Sequence, residues 1–281
     1  MLSIIICSRR NEIDSNLFEN IKKSIGCDYE LIVIDNSKNQ KSIFDAYNLG
    51  IEKSKGEFLC FMHDDILVHT NNWGNILELL FNSDANLGLI GVAGAKIKSK
   101  IPSAWWDCPH DQKAVNMIQH FSKERIVNWN YGFEQGNNVE VVTIDGVFMA
   151  MRKNEHIQFD TKMKGFHNYD LNISLEHKKN NYKIIVTNEI LIEHFSLGNL
   201  DENWLLSTLK AHKIYTNYLP ISIGFQDSEI IKLLEIKNAK RVIKQILSFG
   251  LNRKSISLWF NFFSLSLYSK FYLEYLNRIF K

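Results

Sequence analysis

The chain has 281 residues, 33 Lys+Arg against 31 Asp+Glu, 45% hydrophobic and 23% charged residues. These proportions exclude a disordered or fibrous chain and leave room for one large domain or two small ones. The formal net charge of +2 gives no ground for nucleic-acid binding, but it is uneven: residues 231–281 carry ten Lys/Arg and two acids, +8, which leaves −6 for the first 230. An acidic body and a basic end imply separate roles.

Cys7, Cys27, Cys60 and Cys108 form no CxxC pair, and Cys7 and Cys60 lie in apolar runs. Free thiols in a reducing compartment, and so a cytoplasmic location, are expected. The apolar run Leu2 to Cys7 is too short for a signal-peptide core, and Arg9 and Arg10 lie on its wrong side. No apolar stretch is long enough to predict a spanning helix.

Ser3 to Cys7 is a β-branched apolar run, predicted as a buried strand. Asp14 to Ser24 is helical, with Leu17, Phe18 and Ile21 on one face. Glu30 to Asp35 is a second buried strand, Ser42 to Lys55 a second helix, and Glu57 to Met62 a third strand running into His63-Asp64-Asp65. A helix over Asn72 to Phe81 and a strand over Leu89 to Ala93 follow. Strands that are apolar throughout, alternating with helices, predict a mostly parallel sheet covered on both faces, in an α/β fold.

From Ala95 to Asn138 this pattern dissolves into an irregular segment with Trp105, Trp106, Trp129 and Tyr131, the signature of a lid or binding loop. Glu140 to Ile144 is a strand, then Asp145-Gly146 and the apolar run Val147 to Met151. Tyr169 to Lys179 is helical, and strands are expected over Lys183 to Thr187 and Ile190 to Ile192, ahead of His194. Asp201 caps a helix reaching about Tyr218, and Pro220 marks a boundary before a helical end. There Phe260, Phe263, Leu267, Phe271 and Tyr275 recur at helical spacing, among nine aromatics that include Phe280, with basic residues to Lys281. Such a tail lies on an anionic membrane surface, or packs on the body or on a second copy as a homodimer.

Ligands of open parallel sheets collect at the carboxyl ends of strands. Polar residues stand there three times: Ser8-Arg9-Arg10, Asp35-Asn36 and His63-Asp64-Asp65. The turn after the first strand lacks GxGxxG, which disfavours a dinucleotide dehydrogenase; a Walker A loop and an aspartyl nucleophile are also missing. Carboxylates after a central strand suit a divalent cation, Mn²⁺ or Mg²⁺, carrying a nucleoside diphosphate.

The chain resembles the family 2, GT-A fold, inverting glycosyltransferases over residues 1 to about 200. The resemblance rests on Cys7-Ser8, on Asp35 in LIVIDNS, and on the helix segment from Ala46 to Phe58. It also rests on His63 and Asp65 at the two acidic positions of a DxD motif, Asp145-Gly146-Val147-Phe148, the segment from Phe166 to Leu171, and His194-Phe195-Ser196-Leu197-Gly198. It implies a glycosyltransferase domain over residues 1–220, with a donor half over about 1–95 and an acceptor half over about 96–200, and a basic, aromatic tail over 221–281. It also implies hexosyl-type transfer from a nucleotide-sugar donor to a hydroxyl of a glycan or glycolipid acceptor, in surface polysaccharide assembly.

Residue by residue, Asp170 stands where the family's catalytic base stands. Ser8, Arg10, Asp35, Asn36 and Asp64 would bind the nucleotide and donor, and Asp65, His194 and His63 the metal. Asp145, Gly146 and Trp106 would face acceptor or sugar. Outside the resemblance, Asp145 equally suits a cap on the following backbone, Asp64 a solvated acid, and the Trp105–Trp106 pair a core contact. The competing functions are a sugar-phosphate nucleotidyltransferase, against which the missing glycines count, and a non-catalytic sugar- or partner-binding module, suggested by His63 in an acid's place.

Overall fold

A computed structural model describes residues 1–224 and 227–279; the expected tail residues Phe280 and Lys281 lie outside them. The chain runs β1 (Leu2–Ser8), α1 (Ser15–Ser24), β2 (Tyr29–Asp35), α2 (Ile43–Lys53), β3 (Phe58–Met62), β4 (Ile66–Val68), α3 (Trp73–Ser83), β5 (Leu87–Gly91), β6 (Ala93–Ala95) and β7 (Ile97–Lys98). It continues through β8 (Lys113–His120), β9 (Ile126–Tyr131), β10 (Asn138–Glu140), β11 (Thr143–Ile144), β12 (Phe148–Arg152), α4 (Tyr169–Lys179), β13 (Lys183–Thr187), β14 (Ile192–His194) and α5 (Glu202–Ile214). It closes with β15 (Ile221–Ser222), α6 (Ser228–Ser248), α7 (Asn252–Leu265) and α8 (Phe271–Ile279).

Seven strands form the main sheet in the order β10-β13-β5-β12-β3-β1-β2. Alternate side chains of β1 enter two different cores: Leu2, Ile4 and Ile6 pack with α1 and α3, and Ile5 packs with α2. Both faces are therefore dry, and the strand is apolar apart from Ser8 at its end and Ser3, whose buried hydroxyl donates to Glu30 Oε1 at 2.6 Å and accepts from Gly56 N at 2.8 Å. Close packing against α2 needs Gly50, where a β-carbon would come within 2.3 Å of Ile5 Cγ2. Helices α1, α2 and α5 begin at side-chain caps. Asp14 accepts from Asn16 N, Ser42 from Asp45 N and Asp201 from Trp204 N.

Several expectations are corrected. β12 runs antiparallel to β3 and β5, because an apolar run carries no mark of direction. The segment from Ala95 to Asn138, expected to be irregular, holds the β8–β9 hairpin of a second sheet, ordered β11-β6-β8-β14-β4. Buried Asn116 and Gln119 break the apolar pattern of β8 and hide it. The strand expected over Glu140 to Ile144 splits into β10 and β11, in different sheets, and that expected over Ile190 to Ile192 begins at Ile192 and takes in His194. α5 ends at Ile214 rather than Tyr218. In the tail one helical stripe was expected. A break at Ser266 divides it, so that Phe260, Phe263 and Leu267 are exposed while Phe271 and Tyr275 pack on Phe262 and Trp259.

α6 joins the body through Val242, Ile243 and Ile246, which pack with Ile101, Trp204 and Leu205. Among the described residues no helix is long and apolar enough to cross a membrane. All four cysteines are free, with Cys60 and Cys108 buried and the other two half-buried.

The β12 entry strand rests on Trp73, a fully buried residue whose Nε1 donates to Ser24 Oγ at 3.0 Å and whose ring meets Phe148 edge-on at 5.8 Å. Trp73→Ala is expected to cost about 3–5 kcal/mol in chemical denaturation, while Trp73→Phe, which keeps a smaller aromatic ring and loses the hydrogen bond and part of the packing, costs about 1–3 kcal/mol.

Candidate active site

Strand direction assembles the site. β1, β2 and β3 are parallel, so Ser8, Asp35 and His63 to Asp65 leave the sheet at one edge, with Ser8 opposite Asp35 in register. Because β12 is antiparallel, its first residue, Phe148, pairs with the last of β3, Met62, which delivers Asp145-Gly146-Val147 to that same edge. His63 N donates to Val147 O at 3.1 Å. In the second sheet β14 pairs antiparallel with β4, His194 opposite Ile66, and parallel with β8, His194 opposite Gln119. His194 thereby reaches Asp65, and Gln119 reaches His194.

His63, Asp65 and His194 form a cluster. His63 Nδ1 lies 3.4 Å from His194 Nε2, and Asp65 Oδ1 lies 3.7 and 3.6 Å from those two atoms. Ligand atoms around a cation with bonds of about 2.1 Å stand roughly 3.0–3.5 Å apart, close to these edges. The three residues thus fit a divalent metal by geometry and donor type.

The hydrogen bonds behind them fit as well. Gln119 Nε2 donates to Ser196 O at 2.8 Å and His120 O at 2.9 Å, so its Oε1 faces His194 Nδ1, 3.0 Å away. Facing an acceptor, Nδ1 carries the proton and the Nε2 lone pair points into the cluster. His63 Nε2 meets the Tyr169 hydroxyl at 2.6 Å, which leaves Nδ1 for the cluster. Burial, and then the neighbouring His194, hold the His63 imidazole neutral. Burial opposes the Asp65 carboxylate, but its polar contacts with His194 and Ser196 outweigh it and keep the carboxyl well below its usual range.

The cluster stands between two cavities. One, of about 390 Å³, is lined by Ser8, Arg9, Arg10, Asp64 and Asp65 with Phe195. Ser8 Oγ donates to Asp64 Oδ2 at 2.8 Å and accepts from Arg10 N at 3.1 Å, which ties the end of β1 to that of β3. Asp35 and Asn36 are outside this lining. Asp35 is exposed, with Oδ1 accepting from Ser37 N, and the buried Asn36 amide closes the turn to Lys41.

The second cavity, of about 160 Å³, has His63, Trp105, Trp106, Asp145, Gly146, Tyr169 and Asp170 in its walls. Asp145 Oδ2 accepts from Trp105 Nε1 and Oδ1 from Val147 N, both at 2.8 Å, so this carboxylate fixes an indole and caps the backbone. Trp106 stands edge-on to Trp105 at 5.5 Å. Gly146 is required because a β-carbon there would lie 2.4–2.5 Å from the Tyr169 ring. Asp170 begins α4. Burial, and then the Asp145 charge, raise its carboxyl to about 7, against the hydrogen bond from Leu171 N to Oδ1 at 2.8 Å.

The sequence reading did not find Gln119 or Tyr169. Gln119 was hidden in the segment expected to be irregular, and Tyr169 read only as a helix start; a polar residue on the inward phase of β8 was the available signal.

A family model described as "Glycosyltransferase like family" matches residues 3–218. No curated protein matches. The fold is similar to that of GalNAc-T7, solved with UDP, GalNAc and Mn²⁺, at a TM-score of 0.52 and 14% identity, over 84% of this chain and 54% of that one. It is similar also to S. aureus TarS, at 0.51 and 10%, over 87% of this chain and 43% of that one. The chain therefore spans about half the length of these solved proteins, and at such identities the likeness concerns the fold. The matched span holds the His63–Asp65–His194 cluster and Asp170, and the chain belongs to the glycosyltransferase-like family.

Proposed function

We propose that this protein transfers a sugar from a nucleoside-diphosphate donor to a hydroxyl of a glycan or glycolipid acceptor, with inversion at the anomeric carbon. The observation that carries this reading is the cation-fitting cluster between two cavities, one of which holds a carboxyl raised to about 7. Ser8, Arg10 and Asp64 take the nucleotide side, with Asp35 and Asn36 shaping the rim. His63, Asp65 and His194 hold the cation. Two imidazoles beside one carboxylate favour Mn²⁺ over Mg²⁺, which prefers an all-oxygen shell. A cation held there supplies positive charge to the diphosphate leaving group.

The acceptor occupies the second cavity, against Trp106 and Gly146. Its hydroxyl oxygen forms the new bond to the anomeric carbon as the bond to the diphosphate breaks, and Asp170 takes the hydroxyl proton. A base with a pKa near the working pH is half ionised and still basic enough to accept that proton. Asp145 contributes the charge that keeps Asp170 there and holds Trp105 in the wall. The complete cluster and the tuned Asp170 favour an active transferase over a decayed binding module.

Asp170→Asn is expected to lower turnover by about 10²–10⁴-fold and to leave nucleotide binding in place. The folded-state carboxyl is raised, so above about pH 7 its ionisation weighs against the fold, while below about pH 4 it is protonated in folded and unfolded chains alike. Asp170→Asn should therefore raise the melting temperature at pH 8 as it removes activity, and the wild-type rate should rise with pH through about 7. Normal turnover by the variant contradicts the assignment. Gln119→Leu leaves His194 free to take the wrong tautomer, and calorimetry should show Mn²⁺ affinity weaker by about 10–100-fold with the fold intact.

A further inference from the structure

α7 is amphipathic in an unusual sense. One stripe, Leu258 and Phe262 with Ser255, is buried against α6 and α8. A second stripe, Lys254, Ser257, Asn261 and Ser264, is polar, and it lines a groove of about 640 Å³ between α7 and the body. The third stripe is apolar and exposed: Ile256, Phe260 and Phe263, at i, i+4 and i+7, with one side of the Phe263 ring against Trp259 and Tyr272. Phe260 is 62% exposed. The stripe continues past the helix into Leu267 and Tyr268, the latter 97% exposed. The helix thus lays exposed polar residues along an open groove and leaves large apolar ones in solvent beside them, unlike a helix whose outer face meets only water.

Charge identifies what covers the stripe. Residues 251–270 contain no acid, and Arg253, Lys254 and Lys270 flank the apolar residues with no ion pair among the described residues. Of the two acids in residues 231–281, Glu235 is buried and accepts from Lys100 N and Ile101 N, and Glu274 is paired with Lys244 and Arg278. Lys232, Arg241, Lys244 and Arg278 are ion-paired, so the uncompensated positive charge beside the stripe is that of Arg253, Lys254 and Lys270. A second copy would bring the same cations and only this short stripe, whereas a stable protein interface takes about 20–30 residues a side.

We propose that the α7 face of Ile256, Phe260 and Phe263, with Leu267 and Tyr268, docks on an anionic lipid surface. The aromatic and aliphatic side chains enter the headgroup boundary while Arg253 and Lys270 meet lipid phosphates. This does not rest on the transferase reading, since it concerns a face outside both cavities of the site.

The test is flotation of the full chain with phosphatidylcholine vesicles and with vesicles containing about one-third phosphatidylglycerol, at low and high salt. Binding is expected to the anionic vesicles, weaker at high salt. Phe260→Ser/Phe263→Ser should reduce it by at least about tenfold, Arg253→Glu/Lys270→Glu should reduce it similarly, and Leu79→Ser, at an exposed apolar residue on α3, should not. Melting curves and light scattering of each variant accompany the assay. The proposal is overturned if a folded wild-type chain ignores anionic vesicles or if the folded double variants bind as wild type does. It is also overturned if the wild type is a dimer that Phe260→Ser/Phe263→Ser makes monomeric, since a second copy then covers the stripe.

Discussion

The structure depends on the burial of β1 from both sides. A strand at the centre of the parallel β2-β1-β3 unit, with helices on either face, has no position along its length where a polar side chain can be solvated. Functional groups are therefore confined to the strand ends, and parallel pairing puts those ends on one edge. His63, Asp64 and Asp65 follow β3 there, and the antiparallel entry of β12 adds Asp145 and Gly146 beside them. Close approach in this crowded corner is what makes Gly146 necessary under the Tyr169 ring.

The second sheet completes the site. Its contribution is one of register: β4 leads from Asp65 and pairs with β14, and β14 pairs with β8, so that Asp65, His194 and Gln119 fall in sequence across three strands. The same network sets the electrostatics. His194 and Ser196 keep Asp65 ionised in spite of burial, Gln119 fixes the His194 tautomer, and Tyr169 holds His63. Asp170 is tuned in the opposite direction, by burial and by Asp145. Two carboxylates at one sheet edge with their affinities for a proton pushed apart is the arrangement that a cation site and a general base require.

Much of this was legible in the sequence because apolar runs and caps are local. The helices capped by Asp14, Ser42 and Asp201, the β1–β3 unit, and the cluster members His63, Asp65 and His194 could all be read from the chain, the last with help from the family resemblance. What was not legible depends on pairing. The direction of β12 leaves no trace in Val147 to Met151, and β8 was masked by Asn116 and Gln119, whose inward polar groups serve Ile190, Ser196 and His194 across the sheet. Asp145 shows the limit of reading a residue by type. It lines the second cavity, yet both of its oxygens hold protein groups, and its influence on chemistry passes through Trp105 and Asp170.

On the transferase reading the His63–Asp65–His194 cluster binds a cation together with a nucleoside diphosphate. This binding is tested most directly by thermal melting of the protein with UDP, dTDP, GDP or CDP, each with Mn²⁺ and each with EDTA. A ligand that binds only the folded state stabilises it by about 2.7 kcal/mol at a hundredfold excess over its dissociation constant. At least one nucleotide is expected to raise the midpoint with Mn²⁺, and the shift is expected to disappear in EDTA and in Asp65→Asn. A shift that persists in EDTA, or no shift with any nucleotide in the presence of Mn²⁺, contradicts this binding.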